Sequence, residues 1–166
     1  MRIAFAADHG GASLKRELLD RLPGLGLGHE YVDLGGDGSD PLDDYPDFSQ
    51  RLGEAIQAGS ADRGILICGS GVGAAIAATK MHGVRASVCH DSYSAHQGVE
   101  HDDMNVLVLG ARVIGSALAQ EVVSAFLRAT YTAEERHARR LAKIRALEER
   151  PPRPSPQGSM EPHSSC

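Results

Sequence analysis

Gly64 to Lys80 reads GILICGSGVGAAIAATK, and this stretch decides the architecture. The uninterrupted apolar run Gly64 to Ile67 has the length and β-branched content of a buried strand. Cys68 to Gly73 is a turn rich in glycine, and Ala74 to Thr79 has the composition of a helix. Working outward, the same phrase recurs on both sides. Arg2 to Ala7 is a short apolar strand, followed by Asp8-His9-Gly10-Gly11 and then Leu14, Leu18 and Leu22 at helical spacing, until Pro23-Gly24 stops the pattern. Tyr31 to Leu34 leads through a polar Gly/Asp loop to Phe48, Leu52 and Ile56. Val84 to Cys89 precedes a fourth helix, and Val106 to Leu109 precedes a fifth. Five apolar strands alternating with helices predict an α/β domain: a Rossmann-like, doubly wound parallel sheet with helices on both faces, in strand order 2-1-3-4-5.

After Ser116 the pattern stays helical to about Glu149, with a break expected at Ala129 to Thr132, so the sheet carries an extra C-terminal helix rich in Arg and Glu. Pro151 to Cys166 is rich in proline, glycine and serine with little apolar content, and is expected to stay disordered because burial cannot offset its ordering entropy. The organisation read from this is one domain over 1–149 and a Pro-rich tail over 150–166. A chain of 166 residues with 42% hydrophobic content suffices for one buried core, and an aromatic fraction of 4% makes that core aliphatic.

The formal net charge is −5 and the pI near 5.9, which excludes a long-range field toward nucleic acid or an anionic membrane. An anionic ligand must therefore be held locally. Cys68, Cys89 and Cys166 are an odd number at unrelated spacings, and no signal sequence opens the chain, so reduced thiols and a cytoplasmic location are expected. No apolar run approaches the length of a membrane span.

In an open parallel sheet the ligand crevice lies beyond the carboxyl ends of the strands where the chain reverses its order, here between strands one and three. The residues following those strands are Asp8-His9-Gly10-Gly11 and Cys68-Gly69-Ser70-Gly71-Val72-Gly73. The second loop offers bare backbone amides and a hydroxyl at the start of a helix, a place for negative charge. Its G-x-G-x-G spacing is neither a dinucleotide fingerprint nor a P-loop. Cys68 is either an inert small hydrophobe or, at a helix N-terminus, a thiol whose thiolate is favoured and can take up a proton. Cys89, at a strand end without such a turn, reads as structural. Asp8 and His9 either cap the first helix or add a carboxylate and an imidazole to the crevice. His101-Asp102-Asp103 falls between the fourth helix and the fifth strand, at the amino ends of the strands. It is either a surface turn or the completion of a second subunit's site. One imidazole beside two carboxylates, with no second correctly spaced ligand, gives no metal site. Arg136 and Arg140, four apart on one helix face, can converge on a dianion.

These residues resemble those of the ribose-5-phosphate isomerase type B and galactose-6-phosphate isomerase subunit family. The resemblance is carried by IAFAADHGG, DDYPDF, GILICGSGVGAAIAATK, RA and YSA in the fourth unit, H-x-D-x-N before VLVLGARVIG, and RHARR, in that order from residue 3 to about 148. It implies aldose-ketose isomerisation of a sugar phosphate, ribose 5-phosphate to ribulose 5-phosphate first, with another tetrose, pentose or hexose phosphate as the alternative. In that scheme Cys68 is the base that moves a proton between C1 and C2 through an enediolate. Ser70 and the amides of Gly69 to Gly73, with Gly71 between them, form the anion hole. His101 opens the sugar ring from the partner subunit of a homodimer, or of a tetramer, whose sites are shared. Asp8 and Tyr45 line the sugar site, and His9, Arg112, Arg136, His137 and Arg140 lie at the phosphate. No cofactor or metal is implied, and the partners are the sugar phosphate and a second copy, with no nucleic acid or membrane. Asp102 stands where many family members have Asn, so a charge replaces an amide beside His101 and bears on substrate choice. A non-catalytic phosphate- or nucleotide-binding module on the same fold is the rival reading, and it would not require Cys68.

Overall fold

The computed structural model describes residues 1–150, so the expectation for the tail falls on residues that are, from 151 onward, outside the description. The elements in chain order are β1 (Arg2–Ala7), α1 (Ala12–Arg21), a 3-10 turn (Leu22–Leu25), β2 (Glu30–Asp33), α2 (Tyr45–Gln57), β3 (Arg63–Cys68), α3 (Val72–Ala78), β4 (Ala86–Val88), α4 (Ser92–Asp102), β5 (Val106–Gly110), α5 (Ser116–Arg128) and α6 (Glu135–Glu148). The predicted break between the last two helices is present, since α5 ends at Arg128 and α6 begins at Glu135.

All strand pairs are parallel, and the order is β2-β1-β3-β5-β4. The expected class is correct, but the last two strands are exchanged relative to the expected 2-1-3-4-5. Two physical features explain the exchange. Every residue of β5 is buried, which demands a neighbour on each side, whereas β4 is three residues long with Ser87 exposed, as suits an edge. The handedness of the crossovers agrees. Right-handed connections that move in opposite directions along a sheet must cross on opposite faces. Ala95 and Val99 of α4 pack with Leu107 and Leu109 on the face that also buries α1 and α5. A crossover on that face returns the chain from β4 toward the centre, and so places β5 beside β3.

The alternation of side chains splits the core in two. Ile3, Phe5, Ile65, Ile67, Leu107 and Leu109 point to the face of α1, α4 and α5. Ala4, Ala6, Leu66, Cys68, Val106 and Val108 point to the face of α2 and α3, with Phe48, Leu52 and Ala74 above them. Cys68 is therefore the last residue of β3 on the α2 side, which is the side where Tyr45 begins α2.

Close approach of backbone explains the glycine after β1. A Cβ on Gly11 would lie 2.3 Å from the Ile67 carbonyl oxygen, so only glycine lets α1 start this near to the end of β3. The loops after β1 and β3 are thereby held against one another. No helix among the described residues is long and apolar enough to cross a membrane.

Candidate active site

The carboxyl ends of β1 and β3 open into a cavity of about 330 Å³ lined by Asp8, His9, Tyr45, Cys68, Ser70 and Arg112, together with Gly10, Gly69, Gly73 and Val113. Most of its lining was expected from sequence, and the exchange of β4 and β5 leaves the β1–β3 crevice untouched. Cys68 is 5% exposed but borders the cavity, and its Sγ accepts the Gly71 N–H at 3.1 Å. That bond requires Gly71 to turn back on the strand end, which it does at a φ of 84°, a conformation natural to glycine. The sulfur thus already serves as an acceptor, the role proton abstraction needs. Ser70 Oγ accepts the Val72 N–H at 3.3 Å. The helix that follows is only seven residues long, so the turn's own amides and hydroxyl, more than a macrodipole, are the groups it offers to an anion.

Three further elements complete the walls. Asp8 Oδ1 accepts the Gly11 N–H at 3.0 Å, and burial, the largest influence, raises its pKa above the ordinary carboxylate value, with Asp43 adding to the rise and His9 opposing it. The turn after β5 docks on the cysteine loop, Ala111 N–H donating to the Cys68 carbonyl at 2.9 Å and Arg112 N–H to the Gly69 carbonyl at 3.0 Å. This brings the Arg112 guanidinium over Gly69, where a Cβ would sit 3.5 Å from Nε. Tyr45 lies against Gly73, whose Cβ would meet the phenol ring at 2.7 Å.

His9 is held by a residue that sequence reasoning left within a general acidic loop. Asp43 Oδ1 accepts both the His9 backbone N–H, at 3.0 Å, and a bond from ring Nδ1, at 2.6 Å. The bond to Asp43 is the leading reason that the His9 pKa lies above its ordinary value. Asp43 opens the DDYPDF stretch, two residues before Tyr45, and that proximity was the available signal.

The remaining expected site residues lie elsewhere. His101 is in the last turn of α4, not in the connection after it, and Asp102 closes the helix. His101 stacks on His137 with ring centroids 4.0 Å apart and an interplanar angle of 27°. Arg136 and Arg140 occupy the same α6, Arg136 pairing with Glu134 at 3.0 Å. The chain enters β5 at Val106, just after this cluster, and Cys68 is in register with Gly110 at the other end of that strand. The four steps between Val106 and Gly110 span roughly 13 Å. One chain therefore does not bring His101, Asp102, Arg136, His137 or Arg140 to Cys68. Asp102 instead borders a groove of about 660 Å³ beside β4, which Arg85, Ser87, Ile144 and Leu147 also line. Cys89 is buried, and burial pushes its thiol up, in keeping with a structural role.

His137 is 1% exposed, and neither ring nitrogen has a hydrogen-bond partner among the described residues. Burial first, and neighbouring His101 second, lower its pKa below the ordinary value of 6.5. The folded state then binds this proton less readily than the unfolded chain, so stability falls as the pH drops through and below 6.5. Melting temperatures measured from pH 7 to pH 5 are expected to decline, and to decline less steeply in His137→Phe. Parallel declines in the two proteins would show that His137 does not contribute.

Residues 3–144 match the model of a family described as Ribose/Galactose Isomerase. Ribose-5-phosphate isomerase B of Escherichia coli (strain K12) is 44% identical over 149 residues, covering 90% of this chain and 97% of that protein. D-erythrulose-4-phosphate isomerase of Pectobacterium atrosepticum is 40% identical over 131 residues, covering 79% of this chain and 85% of the relative. The solved structure of ribose-5-phosphate isomerase B from Clostridium thermocellum superposes with a TM-score of 0.82 at 46% identity, covering 90% of this chain and 98% of that one.

Proposed function

The chain belongs to the ribose/galactose isomerase family, enzymes of aldose-ketose isomerisation, and on that premise we propose that its substrate pair is ribose 5-phosphate and ribulose 5-phosphate, with Cys68 as the base. The observation that carries this reading is the convergence of Cys68, Asp8, Ser70, His9 and Arg112 on one cavity at the carboxyl ends of β1 and β3. A pure phosphate-binding module would need the basic groups and the amides, but not the sulfur.

The arrangement supports the following chemistry. The open-chain aldose enters with its phosphate toward His9 and Arg112. The Cys68 thiolate removes the proton from C2, and the C–H electron pair moves into the C1–C2 bond while the carbonyl pair collects on O1. Ser70 and the turn amides receive that developing charge, the kind of preorganised donor set that contributes most to such steps. The Cys68 thiol then returns the proton to C1, and the O2 proton leaves as the ketone forms. Asp8, a buried carboxyl with a raised pKa beside the same cavity, is suited to share the proton moving between the two oxygens.

Ring opening needs a further acid-base group near O1, and the reading assigns it to His101 of a second copy. Two observations support a homodimer with shared sites. The His101–His137–Arg136–Arg140 cluster lies at the far end of its own sheet, and the described residues expose apolar side chains, among them Val72, Ile76, Ile144 and Leu147.

The 40% identity to the Pectobacterium protein makes a tetrose phosphate the second substrate class. Proton NMR in D2O with a panel of phosphorylated and free tetroses, pentoses and hexoses decides between them. Deuterium is expected to enter C2 of ribose 5-phosphate fastest, with no exchange in free ribose. Faster exchange or conversion of a tetrose phosphate would move the assignment to that sugar, and neither exchange nor conversion to the ketose in any phosphorylated aldose would overturn the isomerase reading.

A further inference from the structure

We propose that Asp43 is a positioning residue that fixes the tautomer and orientation of His9, so that the Nε2 edge is presented to the anionic end of the substrate. The proposal rests on the reading of the cavity as a sugar-phosphate site. Asp43 Oδ1 takes two bonds from one residue, the His9 backbone N–H at 3.0 Å and ring Nδ1 at 2.6 Å, a pairing that fixes both where His9 sits and how its ring is turned. The Asp43 side chain is 13% exposed and the His9 side chain 35%, so the pair sits at the edge of the cavity with the carboxylate as its more sheltered member. Because a carboxylate only accepts, Nδ1 must carry a hydrogen, and Nε2 is the nitrogen left for the cavity that His9 borders.

The β2–α2 connection that carries Asp43 is anchored at its start, and Asp43 itself donates its backbone N–H to the Asp40 carbonyl at 3.5 Å. Buried Lys15 reaches across from α1 to Asp33 and donates to the Gly35 carbonyl at 2.9 Å, while the Gly35 N–H donates to Asp33 at 2.9 Å. Arg51 of α2 donates to the Leu34 carbonyl at 2.8 Å. The connection that carries Asp43 and delivers Tyr45 is thus anchored at its start to α1 and α2, and near its end to the loop after β1. His9 and Tyr45, on two separate elements, are set relative to one another through one carboxylate.

The charges facing the imidazole come from each element around it. Asp43 from the β2–α2 connection and Asp8 from its own loop favour the imidazolium, and Arg112 from the turn after β5 opposes it. Tyr45 and the Cys68 thiol are the other titratable groups on the cavity. With the Asp43 bond the strongest of these influences, its carboxylate keeps a second proton on the ring to higher pH. The ring then meets a phosphate dianion as a donor from Nε2.

The test is a pH series of proton–nitrogen correlation spectra on the full chain labelled with ¹⁵N-histidine, run with steady-state kinetics on ribose 5-phosphate. The neutral His9 ring is expected in the Nδ1–H form in the wild type, and Asp43→Asn should shift its titration to lower pH. At a pH above the variant's observed His9 midpoint, Asp43→Asn should raise KM about tenfold while kcat changes much less, and the difference should shrink at pH values below both observed midpoints. In a His9→Ala background, Asp43→Asn should raise KM little further, which a purely structural role would not produce. The proposal is overturned if the neutral wild-type ring carries its hydrogen on Nε2, or if the two substitutions raise KM independently. A wild-type protein that isomerises no sugar phosphate would overturn the parent reading and this one together. That outcome is distinguishable, because the tautomer is read without turnover.

Discussion

Cys68→Ala is expected to lower kcat for ribose 5-phosphate isomerisation by about 10³-fold and to leave KM within about twofold. The size of the effect follows from what the sulfur does and from what it does not do. Cys68 is the one group at the cavity that is both a soft acceptor and placed at the strand end facing α2, with Sγ fixed by the Gly71 N–H at 3.1 Å. Neither the carboxyl of Asp8, engaged with Gly11, nor the hydroxyl of Ser70, engaged with Val72, can move to the same point without breaking its own bond. The phosphate end of the substrate is held by other residues, so binding survives the loss. The packing cost is small because only one heavy atom leaves, at the end of a core layer that also holds small residues such as Ala6 and Ala74. Cys68→Ser separates shape from basicity: it keeps the volume and the hydrogen-bonding role but not a readily formed anion, and is expected to be nearly as slow. The measurement is single-turnover isomerisation together with C2 deuterium exchange. Turnover within a few-fold of wild type in either variant would remove Cys68 from the mechanism.

What the sequence disclosed about this site and what it concealed have separate physical origins. The strand-end loops were legible because the carboxyl-end rule needs only the order of β1 and β3, and each strand was marked by an unbroken apolar run. The β5–β4 exchange was not legible from a sequential ordering of strands, although the weakness of Ala86-Ser87-Val88 beside Val106-Leu107-Val108-Leu109 was its signal. His101 could be placed at the amino end of the sheet from topology alone. Its stacking on His137 could not, because that contact depends on how α6 crosses the end of α4. Asp43 was the least legible of all. It stands among Asp37, Asp40 and Asp44 in one loop, and only the tertiary path of the β2–α2 connection selects it as the partner of His9.

The reading that each site draws on two copies leads to the second large effect, a recovery of activity on mixing two inactive proteins. Cys68→Ala and His101→Ala homodimers should each be nearly inert, the first lacking the base and the second the ring-opening group. If a site takes Cys68 from one copy and His101 from the other, a mixed dimer holds one site with both residues changed and one with both intact. Random reassortment of equal amounts makes about half the dimers mixed, each with one working site of two, so about a quarter of wild-type activity should return. If Cys68 and His101 instead served the same site from one chain, every site in every dimer would lack one of them, and mixing would restore nothing. Unfolding and refolding the two proteins together, with differently tagged chains to isolate the mixed species, makes the comparison quantitative. A purified mixed dimer without activity would show that the roughly 13 Å of sheet between the two ends is not bridged by a neighbouring copy.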